Sequence, residues 1–298
     1  MSILSSTLGT PDRVWALVAL LRENDGTLSR ADAAAWLNPG FRKDDQTVAE
    51  KPVAFQQVLG AATSIGAVET VGNELHLNSD LSAPSYTIFS DWVYDRLIQL
   101  APEEKDAVLL ELLAWVGCES AKRKNVSWLL EYNNAEFADA AEASLPPGAD
   151  DDGDRRINTV KLPYWRRWLV FLGLTEEIKA NPPYQVDIGR RLKREIARLE
   201  IVRNVPIAAE TFFKALRQRM PFVDGGWMYS DAARRIGFAT DPIQLSPILS
   251  QAMRDLHDDG TIELEVLGDV AANVRLAPDP AHKISSFYAV SIKEGDAK

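Results

Sequence analysis

Residues 65–78 read IGAVETVGNELHLN and follow directly on a helical apolar pattern. Val68 and Val71 precede the pair Gly72-Asn73, and two leucines follow it. Because glycine and asparagine tolerate the positive φ that a tight turn requires, the stretch predicts a β-hairpin. A two-stranded hairpin is barely stable alone in water, so the helices of the same segment must supply its core.

The same arrangement recurs twice along the chain. Each copy has a proline, an apolar pattern of helical spacing, a glycine, and a glutamate three positions after that glycine. The copies run from Pro52 through Gly66 to Glu69, from Pro163 through Gly173 to Glu176, and from Pro247 through Gly260 to Glu263. Proline suits the first helical turn, and glycine takes the left-handed conformation that ends a helix. Each copy therefore predicts a helix that leads into a strand.

Further helical patterns precede the first and third copies, and this order is that of a winged helix, a variant of the helix-turn-helix. We predict a mainly α protein with small β-hairpin wings, built from tandem winged-helix modules. In the third copy, GGWMY (225–229) is predicted as a short linking strand, and TIELEVLGDVAANVRLA (261–277) is predicted as a hairpin of two β-prone runs joined through Gly268-Asp269.

The predicted domains are an N-terminal winged helix (1–82), a central helical region (83–203) and a C-terminal winged helix (204–298). The central region is interpreted either as a degenerate winged helix or as helical spacers. It contains an acidic loop at 144–154, predicted to be disordered because Pro, Gly and like charges leave nothing to bury.

The net charge of −10 is unevenly distributed. Residues 131–154 hold eight Asp or Glu and no Lys or Arg, whereas residues 155–203 hold twelve Lys or Arg against five Asp or Glu. Because phosphate binding relies on cations, this basic segment favours nucleic acid, whereas the third copy, which offers Gln251, Arg254 and Asp255, stays ambiguous. The candidate nucleic-acid-binding residues are Lys161, Arg166, Arg167, Arg190, Arg191, Lys193 and Arg194. A buried tryptophan face backed by a solvated arginine face is the preferred alternative.

The helix of the first copy presents a different surface. Its predicted exposed face is small and weakly charged, which suits close packing against protein better than contact with phosphate. The candidate protein-interface residues are Gln56, Gln57, Gly60, Ala61 and Ser64. An arginine at Ala61 is expected to disrupt a complex while the fold stays intact.

No pattern in the sequence indicates catalysis, a metal or a cofactor. The histidines His76, His257 and His282 are scattered, and no Cys/His cluster has zinc spacing. The single cysteine, Cys118, is interpreted as a buried hydrophobe, and a chain with one cysteine suits the reducing cytoplasm. There is no signal peptide pattern and no apolar run of the roughly 20 residues that a bilayer requires. We therefore predict a non-enzymatic, cytoplasmic protein without membrane contact.

The opening SSTLGTPDRVWALVALL (5–21), the hairpin at 65–78 and the winged-helix plan resemble one family. This is DpdG, the G component of bacterial gene clusters that insert 7-deazaguanine bases into DNA and restrict unmodified DNA. The resemblance implies an accessory protein of DNA modification and anti-phage defence, and it implies no particular functional residues.

Two other groups share this architecture, and fold alone does not separate them. One comprises acidic winged-helix subunits of chromosome-organising ATPases, and the other comprises DNA-binding transcription regulators. The predicted partners are protein subunits of a DNA-processing or defence complex, with double-stranded DNA and a second copy of the chain as open alternatives.

Overall fold

The computed structural model describes residues 2–37, 53–102, 104–147, 155–177, 184–266 and 274–294. The helices are α1 (Pro11–Arg22), α2 (Arg30–Leu37), α3 (Val53–Ser64), α4 (Tyr86–Leu97), α5 (Val108–Arg123), α6 (Trp128–Glu131), α7 (Asn134–Ser144), α8 (Leu162–Leu172), α9 (Gly189–Ala197), α10 (Ala209–Arg219), α11 (Trp227–Arg235) and α12 (Pro247–Asp258). The strands are β1 (Thr27–Ser29), β2 (Val68–Val71), β3 (Glu74–Leu77), β4 (Glu176–Glu177), β5 (Tyr184–Gln185), β6 (Ile207–Ala208), β7 (Ile262–Glu265), β8 (Val274–Arg275), β9 (Ser286–Phe287) and β10 (Ala289–Ile292).

The protein is mainly helical, with antiparallel sheets of two or three strands. Within the described ranges, no helix is both long and apolar enough to cross a lipid bilayer. Most of the predicted acidic loop, residues 148–154, lies outside the described residues, and so does the predicted turn at Gly268-Asp269.

The three sequence repeats are confirmed as helix, glycine and strand. Gly66 follows α3 and precedes β2, Gly173 follows α8 and precedes β4, and Gly260 follows α12 and precedes β7. Their φ angles are 70°, 73° and 73°, in the left-handed region that favours glycine. A local signal, a residue able to turn the chain out of a helix, therefore predicts all three boundaries.

The N-terminal hairpin is also confirmed. Strands β2 and β3 pair antiparallel with Val71 opposite Glu74, so Gly72 and Asn73 form a two-residue turn. Gly72 has a φ of 61°. The short strand β1 pairs with the other edge of β3, which gives a sheet of order β1-β3-β2. Helices α1 and α3 pack against this sheet and supply the core that the hairpin requires.

The predicted C-terminal hairpin is wrong in its pairing. Strand β7 pairs with β10, with Ile262 opposite Ile292 and Leu264 opposite Val290, whereas β8 pairs with β9. All four residues of β10 are buried, whereas β8 has only two residues and neither is buried, so the longer, buried strand pairs with β7. A third strand, β6, completes a sheet of order β6-β10-β7.

The segment GGWMY is not a strand, because Trp227 begins α11. The backbone N–H groups of Met228 and Tyr229 donate to the carbonyl of Pro221 at 3.0 and 3.3 Å. Met228 and Tyr229 are buried together with Ala232 and Ala233, which is the spacing of one helical face.

The chain folds into two compact units, each made of two chain segments. Unit 1 comprises Met1–Ala107 and Pro147–Leu172, and unit 2 comprises Val108–Pro146 and Gly173–Lys298. Residues of the predicted central domain are therefore distributed over both units. The three-domain division stays a prediction.

Aromatic side chains of α1, α4 and α8 form one part of the unit 1 core. The ring centroids of Trp15 and Phe89 lie 5.4 Å apart, and those of Phe89 and Phe171 lie 5.5 Å apart. Trp165 and Trp168 of α8 are buried, while Arg167 on the same helix is exposed. The predicted tryptophan face of α8 is thus a core face.

The centre of unit 2 is α5, which is buried along nearly its whole length. It packs closely against α11, and Gly117 lies where an added Cβ would stand 3.5 Å from the ring of Tyr229. Trp115 of α5 meets the rings of Trp128 and Phe137, each at a centroid distance of 5.4 Å. Helices α6 and α7 are held to α5 by these contacts.

Candidate protein and nucleic-acid interfaces

Part of the predicted protein interface on α3 is open to solvent. Gln56 and Ser64 are exposed, and Gly60 is half-buried. The Gln56 side-chain oxygen accepts a hydrogen bond from Nη2 of Arg30 at 2.6 Å, which joins α3 to the start of α2. This open face carries no charge of its own, since α3 contains no Asp, Glu, Lys or Arg.

The N-terminal segment 2–10 covers the rest of that face. Oε1 of Gln57 accepts from the backbone N–H of Leu8 at 2.6 Å and from the Thr7 hydroxyl at 3.0 Å. At Gly9 an added Cβ would lie only 2.7 Å from the Cβ of Ala61. Ala61 is 0% exposed, so its predicted place on an exposed face is wrong. The remaining residues of the interface stay a prediction.

A buried carboxylate fixes this N-terminal segment. Asp106 accepts a hydrogen bond from the backbone N–H of Ile3 at 2.9 Å and another from the hydroxyl of Ser64. Burial raises the pKa of Asp106, while the hydrogen bonds from Ser64 and Ile3 act in the opposite direction. Sequence reasoning missed Asp106, because its partners come from two distant segments of the chain.

In unit 1 the predicted phosphate-binding residues are largely engaged within the protein. Lys161 is buried, and its ammonium group donates to the carbonyl of Arg155 at 2.6 Å. Arg167 is exposed and pairs with Asp12 of α1 at 3.0 Å. Arg166 is half-buried and also interacts within the protein.

The predicted phosphate-binding residues of unit 2 also interact with other groups of the protein. Arg190 pairs with Glu176 at 3.1 Å, and Lys193 pairs with Asp259 at 2.8 Å. Arg191 is 0% exposed. Arg194 is half-buried and also interacts within the protein. The seven candidates divide between the two units, with Lys161, Arg166 and Arg167 in unit 1 and the other four in unit 2.

Glu195 is the centre of a charge network that sequence reasoning missed. Its carboxylate is 0% exposed and accepts from Arg191 at 3.2 Å, from Arg198 at 3.4 Å and from Arg219 at 2.6 Å. Three guanidinium groups therefore share one buried carboxylate, and the network joins α9 to α10. A charge taken out of water is tolerated only when it is paired and hydrogen-bonded, and this arrangement meets that condition.

Cys118 lies in a buried polar cluster of unit 2. Its thiol donates to the carbonyl of Tyr229 at 3.2 Å. Burial raises the pKa of the thiol, and the nearby carboxylate of Asp224 raises it further. Asp224 in turn accepts from the backbone N–H of Ser246 at 2.5 Å and from its hydroxyl at 2.7 Å. Both effects favour the protonated thiol, which is a poor nucleophile.

We expect Cys118 to be unreactive in the folded protein. A thiol reagent should modify it more than about 100-fold more slowly in native buffer than in guanidinium chloride, because reaction requires local or global opening. The measurement is colorimetric thiol titration followed by mass spectrometry of the modified peptide. Equal rates in the two solvents would contradict the buried placement.

Among the residues that the structure describes, no group of three or more His, Cys, Asp and Glu side chains could hold a metal ion. The arrangement thus offers surfaces and structural charge networks, and the predicted absence of catalysis stays a prediction. A family model described as DpdG-like matches residues 1–270 of the chain. No curated protein and no solved structure matches it.

Proposed function

Because the chain belongs to the DpdG-like family, we propose that it is a non-enzymatic accessory subunit of a bacterial DNA-modification and restriction assembly. It works in the cytoplasm as a component of anti-phage defence, and its main contacts are with other protein subunits. Two winged-helix modules, one in each unit, form the binding scaffold.

The order of the elements supports the winged-helix interpretation. In unit 1, α1, β1, α2 and α3 are followed by the hairpin β2–β3, and β1 closes the sheet. In unit 2, β6, α10, α11 and α12 are followed by β7, and β6 joins the same sheet as β7 through β10. In a helix-turn-helix protein the last helix of the three is the one that enters the major groove.

The observation that carries the proposal is the internal pairing of the basic residues. Cations that bind phosphate must be free to replace its counterions. Here Arg167, Arg190 and Lys193 each face a carboxylate, and Lys161 and Arg191 are buried. The α3 face carries neither cations nor acids. A small, uncharged face on α3, together with basic residues that are paired within the protein, suits a protein partner better than a duplex.

Capture from the native host tests the proposal. The tagged protein should co-purify with other proteins of the DNA-modification system, identified by mass spectrometry. Thr63 is exposed on α3, and Thr63→Arg should deplete those partners at least about tenfold, because a bulky charge would interrupt close packing. The matched control is Thr87→Arg, at an exposed threonine of α4 in the same unit. Equal recovery with both variants would exclude α3 as the interface.

Capture of a chromosome-organising ATPase in place of modification proteins would favour the alternative of an ATPase accessory subunit.

A DNA-binding transcription regulator is the second candidate, since the side chains of Arg167, Arg190 and Lys193 are 54%, 56% and 55% exposed. The test is a salt titration of duplex binding. A regulator should show affinity that falls with salt, with a logarithmic slope of roughly −0.9 per phosphate contact. Under our proposal the isolated protein shows no such binding.

Charge reversal locates the contact if binding is seen. Arg166→Glu with Arg167→Glu changes α8, and Arg190→Glu with Lys193→Glu changes exposed positions of α9. Arg191 is left unchanged, because a substitution at a fully buried arginine would report on stability. Loss of salt-dependent binding in one double variant would place the phosphate contact on the helix that it changes, and it would contradict an accessory role without DNA contact.

A further inference from the structure

A short segment of the chain lies across α12, and we call it the strap (residues 277–284). The hydroxyl of Ser250 accepts from the backbone N–H of Ala277 at 2.8 Å. Nη2 of Arg254 donates to the carbonyl of Ala277 at 2.7 Å and to that of Ile284 at 3.3 Å. One side chain of α12 thus holds both ends of the strap.

These contacts lie on the outer side of α12. The core face of the helix carries Ile248, Leu249, Ala252, Met253 and Leu256. Ser250, Arg254 and Asp258 are spaced four apart, and at 3.6 residues per turn their stripe lies roughly opposite that core face. The imidazole of His282 in the strap lies 3.5 Å from the carboxylate of Asp258, so the strap follows the stripe along the helix.

The strap contacts two side chains of this stripe that are buried. Ser250 is 0% exposed and Arg254 is 3% exposed, although neither belongs to the core face. Gln251 and Asp255, which lie between the strap and the core face, remain exposed, and so does Asp258 at the end of the stripe. Arg254, the single arginine of α12, therefore contacts the strap, and the open stripe of Gln251 and Asp255 carries a carboxylate.

We propose that the strap closes the C-terminal module to DNA, so that α12 does not read a duplex. The inference rests on the proposed winged-helix function, in which α12 occupies the position of the groove-reading helix. A reading helix needs a free outer face with cations and hydrogen-bond donors. In α12 the strap covers that face, Arg254 donates to the backbone of the strap, and Asp255 and Asp258 repel phosphate.

Cysteine labelling of the full-length protein tests the closure, because the native Cys118 is buried and gives little background. Ser250→Cys places a thiol beneath the strap, and Gln251→Cys places one on the open stripe. A maleimide should label Ser250→Cys more than about tenfold more slowly than Gln251→Cys, since the former requires the strap to open. Adding Arg254→Met, which removes both donor contacts, should raise the rate at Ser250→Cys towards that at Gln251→Cys. Unchanged melting temperatures of the variants exclude general unfolding.

Protection by duplex DNA gives the functional measurement. In low salt, an excess of duplex should leave the labelling rate of Gln251→Cys unchanged. Protection of that thiol by DNA would overturn the proposal, because it would place α12 against the duplex. Equal labelling at positions 250 and 251 would overturn the closure itself. Neither result depends on whether capture from the host returns modification proteins, so the accessory role and the strap can fail separately.

Discussion

Replacing Glu195 by alanine is expected to lower the free energy of unfolding of unit 2 by about 3–5 kcal/mol. The substitution leaves Arg191, which is fully buried, without the carboxylate that it faces at 3.2 Å. Arg198 and Arg219 lose the same partner. The expected loss of stability is large because the charge of Arg191 stays buried, while the carboxylate that offset the cost of removing that charge from water is gone. Urea denaturation followed by tryptophan fluorescence measures it.

Glu200 provides the matched control. It lies shortly after α9, is exposed, and Glu200→Ala should change the stability by no more than about 0.5 kcal/mol. If both alanine variants unfold at the same urea concentration, the network around Glu195 does not stabilise unit 2. A smaller loss in Glu195→Gln than in Glu195→Ala would show that hydrogen bonding contributes besides charge.

Ala61→Arg is expected to unfold unit 1, with a loss of more than about 4 kcal/mol. The side chain of Ala61 is fully buried. Gly9 approaches it so closely that even a methyl group added at position 9 would clash with it. Arginine must therefore displace the N-terminal segment or bury an unpaired charge, and both are costly. This outcome replaces the expectation, drawn from the sequence, that the variant keeps its fold and loses a partner.

Thr63→Arg separates loss of the fold from loss of a partner. Thr63 is exposed on the same helix, so arginine there should change the free energy of unfolding by no more than about 0.5 kcal/mol. Thermal melting of the purified variants makes the comparison. An Ala61→Arg protein that melts like Thr63→Arg would show that the N-terminal segment does not hold α3.

The elements that local chemistry determines could be predicted from the sequence. A proline or a capping residue before a helix, and a glycine after it, act within a few residues. The boundaries at Gly66, Gly173 and Gly260 and the hairpin at Gly72 follow from such signals. The pairing of β7 did not follow, because the competing partners β8 and β10 differ in burial, which depends on the whole sheet.

The candidate site was less predictable for the same reason. In the basic segment, Arg191 and Arg190 are adjacent, yet one is buried and the other is exposed. Arg219 reaches Glu195 from 24 residues away, so sequence spacing gave no indication of the pair. A useful signal was present within α9 itself. Glu195 stands four residues after Arg191 and next to the apolar Ile196, which places the two charges on one stripe beside the core face.

The two chain segments of each unit alternate along the chain, and this order governs how the protein can mature during translation. Phe171, whose ring completes the aromatic contacts with Tyr86 and Phe89, is made long after the first segment of unit 1. At about 5–20 residues per second, the ribosome needs roughly 3 to 13 s to pass from residue 107 to residue 172. During that interval α1 and α4 lack the apolar surface of α8 that packs against them in the folded protein. A nascent chain stalled within that stretch therefore exposes apolar surface that can aggregate or recruit a chaperone.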